Sequence, residues 1–161
     1  MPDETGYPFE IEFYEEDGDE PVLRWMRDEL SPSERRALGL AMRHYLQKEG
    51  TGVCRGRWGK SVGDGVYEFR LDENLKTLCK HLGLSYKKTG PEDTQGVLFR
   101  VFFHQYDDKV LLLLNGYDKG KSPSAREQQR QIALAKARLR KWKAKRVKQA
   151  KDAARTPKRK K

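Results

Sequence analysis

The chain has 161 residues, and a hydrophobic fraction of 36% with a mean hydropathy of −0.95 allows one core and leaves little for a second. Its net charge of +10 is concentrated at one end, because residues 136–161 hold 14 Lys and Arg against one acid, while the preceding residues hold 20 against 23. No stretch approaches the length of a membrane span and the acidic N-terminus is unlike a signal peptide, so we expect a soluble cytoplasmic protein with no membrane partner.

The cysteines and histidines do not form a metal-binding pattern. Cys54 and Cys79 have neither CxxC spacing nor a companion His cluster, which makes a structural zinc improbable and favours reduced thiols in a reducing compartment. His44 and His81 also lack a companion at metal-ligand spacing. The sequence therefore predicts no metal site.

The first 50 residues predict a strand followed by two helices. Apolar and acidic residues alternate over residues 9–14, which is typical of a half-buried strand with an acidic outer face. Residues 20–30 have apolar residues at helical spacing. Ser31 and Glu34 form a capping box that begins a second helix, which Gly50 can end. We expect the two helices to form a hairpin against a sheet.

The middle of the chain joins a basic, glycine-rich segment to a strand. Residues 51–60 hold three cations and one indole, and they are either an ordinary connecting loop or part of a nucleic-acid site. In the strand that follows, residues 66–71, Glu68 and Arg70 share one face and apolar side chains share the other. Residues 72–96 predict a short helix and a mobile connection.

Residues 97–126 predict a β-hairpin that ends in a basic loop. Arg100 and His104 lie on one face of its first strand, and Val110–Leu114 is apolar throughout, as in a strand covered on both sides. If the 66–71 strand is an antiparallel neighbour, the polar faces coincide and gather four side chains on one side of the sheet. These are Glu68, Arg70, Arg100 and His104.

The C-terminal region predicts a long helix and a basic arm. A capping box at Ser124 and Glu127 begins a helix whose apolar stripe ends near Trp142. Residues 143–161 predict a largely disordered arm that nucleic acid could order through counterion release, or that serves only solubility.

Three motifs in this order, YEFR, FRVFF and GYDKGKSPS, give the chain a family resemblance. From about residue 9 to residue 142 it resembles the RelE/HigB superfamily of toxins from bacterial toxin-antitoxin modules, in particular the phage-derived host-inhibition branch. The resemblance implies an α+β fold, with an N-terminal helical hairpin packed on a small antiparallel β-sheet and a long C-terminal helix. It implies a toxin domain over residues 1–142, with an insert at about 72–96 and the arm at 143–161.

The resemblance also implies an activity and partners. Family members cleave messenger RNA in the ribosomal decoding site by attack of the ribose 2′-hydroxyl on the adjacent phosphate, without metal or other cofactor. Such cleavage requires removal of one proton, donation of another and stabilisation of charge on phosphorus. The implied partners are the ribosome, mRNA and a neutralising antitoxin of the helix-turn-helix DNA-binding type.

The resemblance also suggests site residues, at the positions of this chain that match the family's functional positions. The family places an arginine at the start of its third strand, and Arg100 matches it. The family also places cations on its second strand, where Arg70 matches and Glu68 does not. Glu68 is a candidate general base instead. His104 is the first choice for general acid and Tyr117 the second. The candidate catalytic residues are Glu68, Arg70, Arg100, His104, Lys119 and Lys121. The candidate RNA-binding residues are Arg55, Arg57, Lys60, Tyr117, Arg126, Lys143, Lys145 and Arg146.

The insert leaves a second function open. The family usually joins its second and third strands by a short turn, whereas residues 72–96 intervene here and could narrow access to the decoding centre. The charged strand residues could also be solvated ion pairs that contribute little. The alternative is a non-catalytic module on the same fold that binds nucleic acid or a host protein.

Overall fold

A computed structural model describes residues 6–88 and 90–155 of the chain. Its helices and strands follow in the order β1 (Glu10–Phe13), α1 (Pro21–Asp28), α2 (Pro32–Ala41), β2 (Gly59–Gly63), β3 (Val66–Leu71), α3 (Leu75–Leu82), β4 (Phe99–Tyr106), β5 (Val110–Asp118) and α4 (Ala125–Arg155). A π-helical turn, Met42–Leu46, continues α2, and 3-10 turns occupy Gly50–Arg55 and Pro91–Thr94. In this described part of the chain, no helix is both long and apolar enough to cross a membrane.

The fold is α+β, but its sheet is larger than the sequence predicts and is mixed. The five strands lie in the order β1-β5-β4-β3-β2, and β1 runs parallel to β5 while the other neighbours are antiparallel. The expected small antiparallel sheet is therefore wrong in two respects. The chain passes through α1 and α2 before it returns to the sheet, which permits a parallel partner for β1, and residues 59–63 of the predicted loop form β2.

Helices α1, α2 and α3 cover one face of the sheet. The predicted capping box is present, since the Ser31 hydroxyl accepts from the Glu34 amide while the Glu34 carboxylate accepts from the Ser31 amide. The main core lies under these helices and includes Phe69, Phe99, Phe103 and Leu113 of the sheet. The 72–96 segment contributes to this core, because α3 buries Leu75, Leu78 and Cys79 in it. The insert is thus part of the fold.

Helix α4 covers the opposite face. Its Ala135 and Leu139 pack in a second core with Phe102, Leu112 and Leu114. Strand β5 is consequently covered on both faces, as its continuous apolar run predicts. Coverage of this face bears on the candidate site, because Glu68, Arg70, Arg100 and His104 lie on it.

The C-terminal helix continues beyond the predicted boundary at residue 143. It runs to Arg155, so the expected irregular arm is helical over residues 143–155, and residues 156–161 lie outside the described residues. Lys, Arg, Ala and Gln dominate this stretch, and they are good helix formers even where no apolar stripe holds them to a core.

Candidate functional site at the end of strand β3

Strand register brings two predicted arginines together. Strands β3 and β4 are antiparallel neighbours as predicted, and Arg70 lies directly opposite Arg100. Alternation along β3 and β4 places Glu68, Arg70 and Arg100 on the face covered by α4. Arg70 and Arg100 lie where β3 ends and β4 begins.

Glu68 lies too deep to act on a substrate. Its side chain is fully buried, one carboxylate oxygen accepts from Arg70 Nε at 2.7 Å, and the other accepts from Gln128 Nε2 of α4 at 3.1 Å. A general base must reach a substrate hydroxyl, whereas both oxygens of Glu68 are already engaged. The predicted general-base role therefore does not fit its position, and Glu68 instead holds Arg70 and joins the sheet to α4.

Arg100 is also buried, and it contacts a carboxylate that the sequence analysis did not single out. Its side chain is 6% exposed, and Nη1 donates to Asp72 Oδ1 at 2.6 Å and to the Phe99 carbonyl at 3.0 Å. The buried Nε of Arg100 has no hydrogen-bond partner. Asp72, in contrast, is 52% exposed. The more accessible group of this pair is the carboxylate.

Arg70 and Asp72 open into the same small crevice. Its lining residues are Arg57, Trp58, Arg70, Asp72 and Glu73, its volume is about 40 Å³, and we refer to it as the β3-end crevice. The Arg57 guanidinium lies over the Trp58 ring with 5.0 Å between its Cζ and the ring centroid. The crevice therefore combines two guanidinium groups, one accessible carboxylate and an aromatic wall.

Two further groups hold the wall of the crevice in place. Trp58 stacks on Tyr45 with 3.9 Å between ring centroids. The carboxylate of Glu73, which is 8% exposed, lies 3.2 Å from Arg57 and 2.5 Å from His81 Nδ1. Arg57, predicted only as an RNA-binding residue, is thus fixed beside the predicted catalytic Arg70.

His104 lies away from this crevice. It is four residues beyond Arg100 on β4, about 13 Å along the strand, and the buried Phe102 lies between them. Its Nδ1–H donates to the Gly65 carbonyl at 2.7 Å, and its ring meets the edge of Trp142. Burial lowers the pKa of His104 and nearby Lys143 lowers it further, although the bond to Gly65 raises it. The predicted general-acid role does not fit this position.

Tyr117 lies across from Arg100 on β5, with its ring stacked on Phe102. It is 6% exposed, and its buried hydroxyl has no hydrogen-bond partner. Burial is the main cause that raises the pKa of Tyr117, and the nearby Glu68 carboxylate adds to it. Tyr117 therefore stays neutral at physiological pH and is too enclosed for the RNA contact predicted for it.

The loop after β5 carries Lys119 and Lys121 to the same end of the sheet. The Lys119 amide donates to the Leu98 carbonyl at 2.8 Å, and Asp118 Oδ1 accepts from the amides of Gly120 and Lys121. These bonds fix the loop two strands from Arg70, about 10 Å away. Both lysines can add positive charge beside the crevice without lining it.

The other predicted RNA-binding residues fall into two groups. Arg55 and Lys60 are exposed and flank Arg57 and Trp58 in the sequence, and Arg126 is exposed in the first turn of α4. Lys143, Lys145 and Arg146 lie about 26 Å or more farther along that helix. Of this second group, Arg146 is engaged by the body of the protein, because its guanidinium lies 4.7 Å from the ring centroids of both Tyr106 and Trp142.

Sequence reasoning missed Asp72 and Gln128. Asp72 directly follows the strand that carries Arg70, and this adjacency was the available signal. The sequence around Gln128 gave no such signal, because its role depends on how α4 crosses the sheet.

Among residues 6–88 and 90–155, no group of His, Cys, Asp and Glu side chains has an arrangement that could hold a metal ion. Comparison of the chain with protein-family models, curated proteins and solved structures finds no match.

Proposed function

We propose that the protein is a toxin of the RelE/HigB type, an endoribonuclease that cleaves messenger RNA on the ribosome and so inhibits translation. The observation that carries the proposal is the β3-end crevice, where Arg70 and the accessible Asp72 meet beside the Trp58 ring. An α+β fold with two N-terminal helices on one face of the sheet and a long C-terminal helix also agrees with what the resemblance implies.

The proposed reaction uses the 2′-hydroxyl of the substrate as nucleophile. Asp72 accepts the hydroxyl proton, the 2′-oxygen bonds to phosphorus, and the bond from phosphorus to the 5′-oxygen breaks. The leaving 5′-oxygen takes a proton from water or from the ammonium group of Lys119 or Lys121, which yields a 2′,3′-cyclic phosphate and a free 5′-hydroxyl.

The neighbouring groups of the crevice support this chemistry. Arg70, whose side chain is 29% exposed, can bind two phosphate oxygens with its planar guanidinium. Arg100 orients Asp72 through their 2.6 Å contact. Arg57, whose side chain is 64% exposed and lies over the Trp58 ring, adds a second guanidinium for the RNA backbone.

The decisive experiment is inducible expression in a bacterium, with the single variants Arg70→Gln and Asp72→Asn. Gln at position 70 can still donate to Glu68, so the fold should survive. The matched controls are Arg27→Gln and Asp28→Asn, which change the same charges at an exposed pair on α1. Growth, the positions of mRNA cuts and the chemistry of the cut ends are measured.

Wild type and controls should arrest growth and cut mRNA within translated frames, leaving 2′,3′-cyclic phosphate ends. Asp72→Asn should slow cleavage by about 10²-fold or more, as expected for loss of a general base. Uncut mRNA under wild-type expression, or full cleavage by both crevice variants, would refute the proposal. Melting curves of the purified variants separate a lost activity from a lost fold.

One observation favours a non-catalytic binding module instead. Each arginine of the face already contacts a carboxylate, Arg70 with Glu68 and Arg100 with Asp72. A module of this kind would bind translating ribosomes or RNA with strong salt dependence and leave the RNA intact. Product analysis after incubation with translating ribosomes distinguishes the two functions.

A further inference from the structure

The cations of α4 include an inner set and an outer set. The helix carries 12 Lys and Arg against two acids, Glu127 and Asp152. The inner cations contact the body of the protein. Lys136 lies 3.3 Å from Asp64, Lys141 lies 3.2 Å from Glu16, and Arg138 donates to the Leu114 carbonyl at 2.9 Å. Their charge serves mainly to hold the helix on the sheet.

The outer cations form a stripe along the solvent side of the helix. Helical periodicity aligns Arg126, Arg130, Arg140, Lys148, Lys151 and Arg155, which we call the outer stripe, and all six residues are exposed. Between Arg126 and Arg155 the stripe extends over about 44 Å. Alanines at 133, 137 and 144 lie between its members, so no bulky side chain keeps a phosphate backbone away.

We propose that the outer stripe binds the phosphate backbone of duplex RNA, independently of sequence. This rests on the proposed function for the choice of RNA over DNA, since the ribosome presents duplex RNA. A row of cations along about 44 Å of helix can contact several of the regular phosphates of a duplex, which is recognised largely by shape and backbone.

The composition of α4 argues against two other ligands. Single-strand binders stack bases on aromatic side chains, and the one aromatic residue of α4, Trp142, packs against His104 and Tyr106 instead. Membrane-surface helices bury a broad apolar face in lipid, but Val147 is the only exposed large hydrophobic residue that α4 presents among its described residues.

The test is binding of the full chain, without ribosomes, to a 20-bp RNA duplex over a range of salt concentrations. The variant is Lys148→Gln/Lys151→Gln/Arg155→Gln. The matched control is Lys76→Gln/Lys80→Gln/Lys88→Gln, which removes three exposed charges on α3 and the connection after it. Parallel probes are the single strand of the same sequence, the corresponding DNA duplex and phosphatidylserine vesicles.

The stripe variant should bind the RNA duplex at least tenfold more weakly at low salt. Its slope of log affinity against log salt should be flatter by about two to three, because each lost phosphate contact contributes roughly 0.7 to 0.9. The control should bind like wild type. DNA duplex should bind equally or more weakly.

Unchanged duplex affinity in the stripe variant would overturn the proposal, as would a larger loss of affinity for the single strand, the DNA duplex or the vesicles than for the RNA duplex. Circular dichroism confirms that α4 remains helical in the variant. Failure here is distinguishable from failure of the proposed nuclease, because Arg70→Gln should abolish mRNA cleavage while leaving duplex binding intact. Stripe-dependent binding by a chain that never cuts mRNA would remove the nuclease and retain this inference.

Discussion

The contact between Arg100 and Asp72 joins a buried guanidinium to a half-exposed carboxylate, and it yields a prediction about which partner the fold needs. Arg100 has few other acceptors, because its second contact is the Phe99 carbonyl and its buried Nε has no partner. Removal of Asp72 would leave a buried cation without a counter-charge. Removal of Arg100 would leave a carboxylate that water already reaches.

The expected free energies follow from this asymmetry. Loss of one partner from a fully buried pair costs about 3–5 kcal/mol, and half-exposure of Asp72 reduces the cost of Asp72→Ala to about 2 kcal/mol. Arg100→Met replaces a buried cation by an apolar chain of similar length and should cost less than about 1 kcal/mol. The double variant should resemble Arg100→Met, so the coupling energy should equal the cost of Asp72→Ala, about 2 kcal/mol.

Urea denaturation of wild type, the two single variants and the double variant at neutral pH measures these free energies of unfolding. Thermal melts provide a second measurement. For a chain of this size, 1 kcal/mol corresponds to roughly 2–4 °C in Tm. The reasoning would be refuted by an Arg100→Met variant less stable than Asp72→Ala, or by additive effects in the double variant. Either result would mean that Arg100 contributes to stability without its carboxylate partner.

Two further predictions concern the packing around the site and its dependence on pH. In urea denaturation, Gly116→Ala should lower the free energy of unfolding by about 1–3 kcal/mol, because the added Cβ would lie 2.6 Å from the Trp25 ring. The control Gly39→Ala adds a Cβ with nothing within 4 Å and should stabilise α2 by about 0.5–1 kcal/mol. Equal effects of the two substitutions would contradict this reasoning. Burial lowers the pKa of folded His104 below its ordinary value of 6.5, so the unfolded chain binds a proton more readily and the free energy of unfolding should fall as pH drops below about 6.5. His104→Gln should therefore lose less stability than wild type between pH 7 and pH 5 in urea denaturation. Equal losses in the two proteins would contradict a lowered pKa for His104.

Local sequence patterns determined which side chains share a face. Alternation over residues 66–71 and 99–104 correctly placed Glu68, Arg70 and Arg100 together, because the period of a strand is a property of the backbone itself. The same was true of the helix that begins at Ser31, where the capping box uses only neighbouring residues.

The patterns could not show what lies above a face. Alternation does not distinguish solvent from a covering helix, so Glu68 was predicted as an accessible base although Gln128 and Arg70 enclose it. Strand β2 was missed for a related reason. Its sequence, GKSVG, has little strand propensity, and it is extended because β3 offers a partner, which is a tertiary effect.

Coverage of the sheet by α4 has a consequence for how RNA could approach. The centre of the face is closed by the packing of Ala135 and Leu139, whereas the β3-end crevice and the outer stripe are accessible. The start of α4 lies near the crevice, because Gln128 in its first turn donates to Glu68, which also accepts from Arg70. A duplex held along α4 would therefore direct an adjoining single strand towards the crevice. Under the proposed function, the cations of α4 would determine where RNA binds, and Arg70 and Asp72 would determine whether it is cut.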